Sequence, residues 1–305
     1  MRKRKAKPLV RQRKLFCELS PLASQLSTLR CRVVRSLQNV CSKGALAQTR
    51  QTVPLPYLIY QHNSLIRRKL GQVDPVLQEN KAVNLRLAAP KVSGVLIRPG
   101  ETFSFWTLVG PCTEKKGYRP GLTISNGHTS SGIGGGMCQF TNLIHWLVLH
   151  SPLTVTEHHH HDGVDLFPDY GRVVPFGTGT SILYNYLDYR FVNNTLNTYQ
   201  LVVYNTEEYL HGELRSDSPL PVKYHIHAEG EFFSREPDGV YRNGKVIRRC
   251  VDKQTGRLLS QEVIKENHAK VMYDTSHLTV TDLPEGSPAV RGKRRKKRSA
   301  GQGVL

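Results

Sequence analysis

The stretch GIGGGMCQFTNLIHWLVLHSPLTVTEHHHHD, residues 132–162, concentrates the side chains of this chain that could do chemistry. Met137, Phe140, Ile144, Leu147 and Val148 recur at helical spacing, which predicts a helix from about Met137 to Leu149, ending before Pro152. Gly134, Gly135 and Gly136 form a flexible turn ahead of it. Cys138 then falls in the first turn, where the helix dipole and free N–H groups stabilise a thiolate. The glycines would let a substrate approach the backbone, and their N–H groups could hold an oxyanion.

A base would complete the set. Leu153–Thr156 reads as a short strand, followed by Glu157 and His158 to His161. On an extended segment His159 and His161 share one face, and His158 and His160 the other. Cys138 would be the nucleophile, His159 or His161 the base, and Glu157 the orienting acceptor. The requirement is a thiol–imidazole contact of about 3 Å. Two other readings stay open: Cys138 as an inert small hydrophobe, and a divalent metal held by His159 and His161. Asp162, Asp165 or Cys138 would then be the third ligand. Four histidines in mid-chain do not resemble an expression tag.

The elements that must position this segment come next. Leu15, Leu19, Leu22, Leu26, Leu29, Val33, Leu37 and Val40 form a helical stripe. Ser20-Pro21 reads as N-cap and first helical residue. Arg30, Arg32 and Arg35 make the segment basic and amphipathic. It would lie on an anionic membrane surface or, more commonly for such helices, pack on the body with a solvated basic face. A helical pattern recurs near Pro75–Leu87. VLIRPGETFSFW reads as strand, Pro-Gly turn and second strand, and residues 110–135 as loops with short strands.

After residue 165 the pattern turns β. SILYNYLDYRF predicts a long strand, with YQLVVY as its hairpin partner across Asn193-Asn194. VYRNGKVIRRCV carries an Asn-Gly hairpin signal, and Thr255-Gly256 marks another turn. The fold class expected is α+β: a β-rich body with an antiparallel meander, a central helix after the Gly-rich turn, and an N-terminal helical extension. The organisation expected is a basic arm and helix over 1–50, a body over 51–283, and a basic disordered tail over 284–305. Trp106 and Trp146 are expected in the core.

The net charge of +19 is not spread evenly. Residues 1–50 hold thirteen Lys and Arg against Glu18 alone, and RGKRRKKR at 291–298 adds seven more. Residues 51–290 are neutral, so the basic character belongs to the termini. Those runs predict at most sequence-independent contact with nucleic acid, since no RRM-like motif, zinc finger or helix-turn-helix accompanies them. Six cysteines without CxxC spacing argue against ribbon zinc, and no apolar stretch follows the charged N-terminus. A cytoplasmic protein with free thiols, peripheral to the membrane, is expected.

RPGETFSFW at 98–106, GGGMCQ at 134–139 and the acid-plus-histidine segment at 157–161, in that order, resemble the VanW family over roughly residues 80–215. That family is named for an accessory product of vancomycin-resistance clusters. In the resemblance Gly134, Gly135, Gly136, Cys138 and Gln139 match the glycine-cysteine motif. Glu157, His159 and His161 match the second motif, with His158 where the family has arginine. Pro175 and Gly177 match a later PPG, and Gly179 stands where an aspartate is usual. The resemblance implies a link to peptidoglycan or glycopeptide resistance without an established reaction. It adds Gln139 to the three glycines as a candidate substrate-binding residue, and a wall precursor as a candidate partner. Many relatives carry a membrane anchor and wall-facing modules; neither is read in this sequence, so action on mature peptidoglycan outside the cell is not expected. The functional classes are therefore a Cys/His enzyme, a non-catalytic protein binding membrane, wall precursor or partner, and a nucleic-acid contact through the tails. The oligomeric state is left open.

Overall fold

The structure is a computed structural model that describes residues 20–41, 45–68, 74–125, 128–160, 163–169 and 171–282. His161, Asp162 and the expected tail from 284 lie outside the described residues, as does the stripe before Ser20.

The central helix forms where its apolar period predicts, as α4 over Met137–Leu149. It packs with α2, Pro75–Val92, on one antiparallel sheet. That sheet runs in the order β1 (Tyr57–Leu65), β10 (Tyr209–Ser216), β9 (Tyr199–Asn205) and β2 (Val95–Ile97). Phe140, Leu143, Ile144 and Leu147 of α4 meet Leu85, Ala88 and Val92 of α2 and Leu201, Val203, Leu210 and Leu214 of the sheet in one cluster. Burial of this apolar surface is the main force holding the body. α2 extends past the predicted Leu87 to Val92, and Asp74 caps it by accepting from the Val76 N–H at 2.9 Å.

A small sheet carries the histidine segment. It comprises β3 (Thr102–Ser104), β8 (Arg190–Val192) and β6 (Thr154–Glu157). Phe103 and Phe191 stack at 4.7 Å across it. The aromatic run after β3 turns helical instead of continuing as strand: α3 is Phe105–Val109, capped by Ser104. Trp106 and Trp146 are both buried, as expected. β4 (Pro120–Ser125) and β5 (His128–Ile133) form a hairpin beside the start of α4.

Two β expectations are corrected. SILYNYLDYRF is not a long strand; only Arg190–Val192 is, and it pairs with β3 and β6. Leu183 bridges Leu187 around a turn in which Asn185 takes φ 50°, and Asn185 is held there by donating to Ser36 Oγ at 2.8 Å. Its proposed partner, β9, pairs with β10 and β2. The Asn-Gly pair is not a hairpin turn either. β11 (Val222–Glu236), β12 (Gly239–Asp252) and β13 (Leu258–Val271) are long antiparallel strands, and Asn243-Gly244 lies inside β12 opposite a bulge in β11. Asn243 donates to Ser234 Oγ at 2.8 Å and meets His268 at 2.8 Å, so both its amide atoms are used across the sheet. The turn between β11 and β12 falls at Pro237-Asp238, and Thr255-Gly256 makes the predicted one. β7 (Val164–Asp165) and β14 (Val280–Asp282) complete this five-stranded sheet.

α1, Pro21–Cys41, starts as predicted, with Ser20 Oγ accepting from the Ala23 N–H at 3.1 Å. Its orientation reverses the expectation of apolar packing. Leu22, Leu26, Leu29, Val33, Leu37 and Val40 all face outward, between 51% and 71% exposed. The side turned to the body carries Ala23, Ser27, Cys31, Arg35 and Asn39, spaced four apart. Among the described residues no helix is long and apolar enough to cross a membrane.

Candidate functional site

Three glycines shape the start of α4. Gly134 and Gly136 take φ of 78° and 110°, values only glycine adopts readily. Gly135 lies against the backbone of Gly121 in β4, and its carbonyl accepts from Asn84 Nδ2 at 2.9 Å. Gly136 is the N-cap and supplies no capping side chain. The first-turn N–H groups of α4 therefore lack a side-chain partner from the cap.

Cys138 is half-buried in that first turn. Burial pushes its thiol up, against the opposing pull of the N–H groups of Ile182 and of Cys138 itself. Part of the residue is reached by solvent, yet the sulfur sits in dense surroundings, so the neutral thiol is favoured. The dipole effect expected from the sequence is outweighed by desolvation. At neutral pH Cys138 should alkylate with iodoacetamide more slowly than the exposed Cys41, by roughly tenfold for each unit of pKa difference. Peptide mass spectrometry against time checks this, and a Cys138 that reacts faster than Cys41 contradicts it.

Gln139 spends its amide on the sheet, donating to Ser64 Oγ at 2.9 Å and Leu65 O at 2.8 Å. It thereby fastens α4 to the end of β1.

The histidine segment divides by face, as its extended backbone dictates. Glu157 and His159 point together, with His159 Nε2 3.0 Å from Glu157 Oε1. That carboxylate also receives α1 and the chain at Asp188. Arg35 donates to it twice, both bonds 2.7 Å, and the Asp188 N–H donates at 2.9 Å. Burial alone would raise the Glu157 pKa, but His159, the Asp188 amide and Arg35 together hold it down at about 2. Asp188 extends the network: it accepts from Ser104 Oγ at 2.6 Å, the Trp106 N–H at 3.0 Å and Arg190 Nε at 2.8 Å. Arg190 in turn reaches Asn39 of α1 at 2.5 Å. The acid and histidine are thus brought together, in a cluster that also docks α1.

His158 and His160 point the other way. His158 Nε2 donates to Gly179 O at 3.0 Å, and its ring lies 4.1 Å from His145 and 3.9 Å from His160. His145 is 2% exposed, and its Nδ1 meets the Tyr189 hydroxyl at 3.0 Å. Burial first, then the nearby His158, His160 and Arg248, drive its pKa well down, so it is neutral at pH 7. Beside these rings a cavity of about 520 Å³ opens between α4 and β6 on one side and β12 and β13 on the other. Arg248 crosses it, donating to Leu149 O and Glu262. Thr180 and Ser181 tie the chain after the PPG-like turn to both motifs, through Asn142 Oδ1 at 2.6 Å and His159 O at 2.7 Å. Gly177 fits under Asn267 of β13, where a Cβ would lie 2.2 Å from the amide oxygen.

Among the described residues no group of three His, Cys, Asp or Glu gathers to hold a metal ion. Asp165 instead joins Arg242 and Tyr273, and His161 lies outside the described residues.

Sequence reasoning missed Lys81 and Gln78 on α2. Both are buried, 5% and 7% exposed, and Lys81 lies against the start of α4. The Lys81 stem runs over Gly136, where a Cβ would lie 2.4 Å from its Cγ. Burial, with Arg68 and Arg67 nearby, lowers its pKa to about 7. The missing signal was steric: an added side chain at position 136 would displace the lysine.

Residues 80–215 match the family model described as VanW like protein. The chain is 36% identical over 227 residues to the Vancomycin B-type resistance protein VanW of Enterococcus faecalis (strain ATCC 700802 / V583), spanning 74% of this chain and 82% of that protein. It is 30% identical over 118 residues to the uncharacterized protein YoaR of Bacillus subtilis (strain 168), spanning 38% of this chain and 36% of that protein. No solved structure matches.

Proposed function

This chain belongs to the VanW family, and on that premise we propose that it serves glycopeptide resistance as an accessory protein that works at the cell envelope by binding. In this reading α1 holds it to an anionic membrane surface, and a cell-wall precursor is its ligand class. The observation that carries the reading is the outward stripe of α1. Six large apolar side chains line one side of a helix whose polar side is locked to Glu157 and Arg190. Exposed Arg30 and the eight bases of residues 1–14 complement anionic headgroups. The five described cysteines are free thiols, which accords with a cytoplasmic site at the inner leaflet.

Sedimentation with phosphatidylglycerol vesicles tests the membrane part. Binding should weaken roughly ten- to a hundredfold for each of Leu26→Glu and Val33→Glu, because each removes about 1.5–3 kcal/mol of apolar burial. Binding indifferent to salt and anionic lipid content overturns it. So does a stripe that instead drives dimerisation, seen by analytical ultracentrifugation, with no lipid binding.

A second reading, Cys138 as a nucleophile in acyl or peptide chemistry, is favoured by its place in the first turn of α4 after the three glycines. The raised thiol acts against it. Loss of resistance in a folded Cys138→Ser chain, together with a thiol reactive below pH 7, would select this reading over binding.

A further inference from the structure

The corner where α2 meets the start of α4 holds polar groups that the fold leaves without a use. Lys81 lies across Gly136, the N-cap of α4, with its stem pressed on the bare Cα. Its charged neighbours, Arg68 and Arg67, are both positive. One turn earlier on α2, Gln78 is 7% exposed, and neither its amide oxygen nor its nitrogen has a hydrogen-bond partner among the described residues. Buried polar atoms are almost always partnered, so an orphaned amide marks a place for something else. α4 is thirteen residues long and lacks a side-chain cap; the Gln139 N–H turns back to Gly136 O at 2.9 Å, which leaves the Met137 N–H at the helix start beside Lys81. Asn84, on the same side of α2, is by contrast fully used: it bonds Arg119 O, Gly135 O and the Arg119 N–H. That fixes the turn and leaves the corner open at half-buried Gly136 and Gln139.

We propose that this corner binds a compact oxyanion, a phosphoryl or carboxylate group, with Lys81 as counter-ion and the Met137 N–H at the start of α4 as a hydrogen-bond donor. A cation is repelled there by three basic side chains, and a neutral ligand would leave the lysine uncompensated. The lysine, whose pKa burial lowers to about 7, would recover full charge once an anion sits beside it. Wall precursors carry both phosphoryl and carboxylate groups, so the site deepens the binding role without resting on α1.

Calorimetric titration of the soluble chain with inorganic phosphate, sulfate and acetate tests it without vesicles. Wild type should bind phosphate or acetate, and Lys81→Met should lose about tenfold or more in affinity. Phosphate and sulfate bound above acetate assigns a phosphoryl group; acetate bound equally assigns a carboxylate. The anion should also raise the melting temperature of wild type and leave that of Lys81→Met unmoved. Lys81→Gln carries the comparison if the methionine chain fails to fold. Equal affinity in wild type and variant, or no binding and no melting shift with any of the three anions, overturns the proposal. Vesicle binding lost while phosphate binding persists would fault α1 alone.

Discussion

Gly135→Ala is expected to cost about 3 kcal/mol of folding stability and to lower the melting temperature by roughly 5–10 °C. A Cβ at this position would lie 2.2 Å from the carbonyl carbon of Gly121 and 2.3 Å from its oxygen. These are backbone atoms of β4, so no rotamer change relieves the overlap. The reverse contact is also closer than van der Waals contact allows, with a Cβ at Gly121 lying 2.8 Å from Gly135 O. Asn84 pins both sides, holding Gly135 O and the backbone of Arg119 just before β4. Separating the strand from the turn would break these bonds and move the start of α4. Gly179→Ala is the control: nothing lies within 4 Å of its added carbon, and a change within about 0.5 kcal/mol is expected. Urea unfolding of the two chains decides the matter. Equal midpoints would mean that the hairpin and the turn are not in rigid contact.

Acid should loosen α1 before the body. Glu157 titrates at about 2 in the folded chain against an ordinary value of 4.5. A depressed carboxylate stabilises fully above the unfolded value and loses that contribution as pH falls from about 4.5 towards 2. Its side chain is 16% exposed, so most of the shift counts, and about 2–3 kcal/mol should disappear across that window. Glu157→Gln removes the charge at all pH values. It should lower stability at pH 7 by about 3 kcal/mol, because Arg35 and Arg190 are left buried without it. Its unfolding midpoint should then be flatter than wild type over the acid window. Proteolysis within residues 42–50 at pH 7 should rise with the same substitution, since Arg35 no longer anchors the helix. A Glu157→Gln chain with the wild-type acid profile would show that the carboxylate does not set it.

Much of this was legible in the sequence because it rested on local physics. The apolar period of α4 is closed by Gly136 on one side and Pro152 on the other, and Ser20-Pro21 fixes the start of α1 through one hydroxyl. Orientation was not legible. Periodicity finds the stripe of α1 but not the direction it faces, which is set by Arg35 meeting Glu157, 122 residues away in the chain. Strand propensity misled at Leu183–Leu187, where Asn185 accepts a left-handed conformation because α1 bonds its amide. The Asn-Gly signal failed because Ser234 and His268 satisfy Asn243 inside the sheet. In the site, the pairing of Glu157 with His159 followed from strand alternation. The acidity of Cys138 did not follow, since desolvation depends on how closely Ile182 and its neighbours pack. Lys81 and Gln78 were invisible for the same reason: on α2 they resemble any polar helix residue until the fold buries them, Lys81 over Gly136.

The matched residues 80–215 and the sheet they build have different borders. β1, at Tyr57–Leu65, forms the outer strand beside β10 and gives Ser64 and Leu65 to Gln139. Asn267, far beyond the other border, holds the PPG-like turn. Cutting the chain to its recognisable portion would strip the partner from β10 and bare its ladder groups, inviting another chain to add a strand. The stretch that the family model covers is smaller than what folds as one.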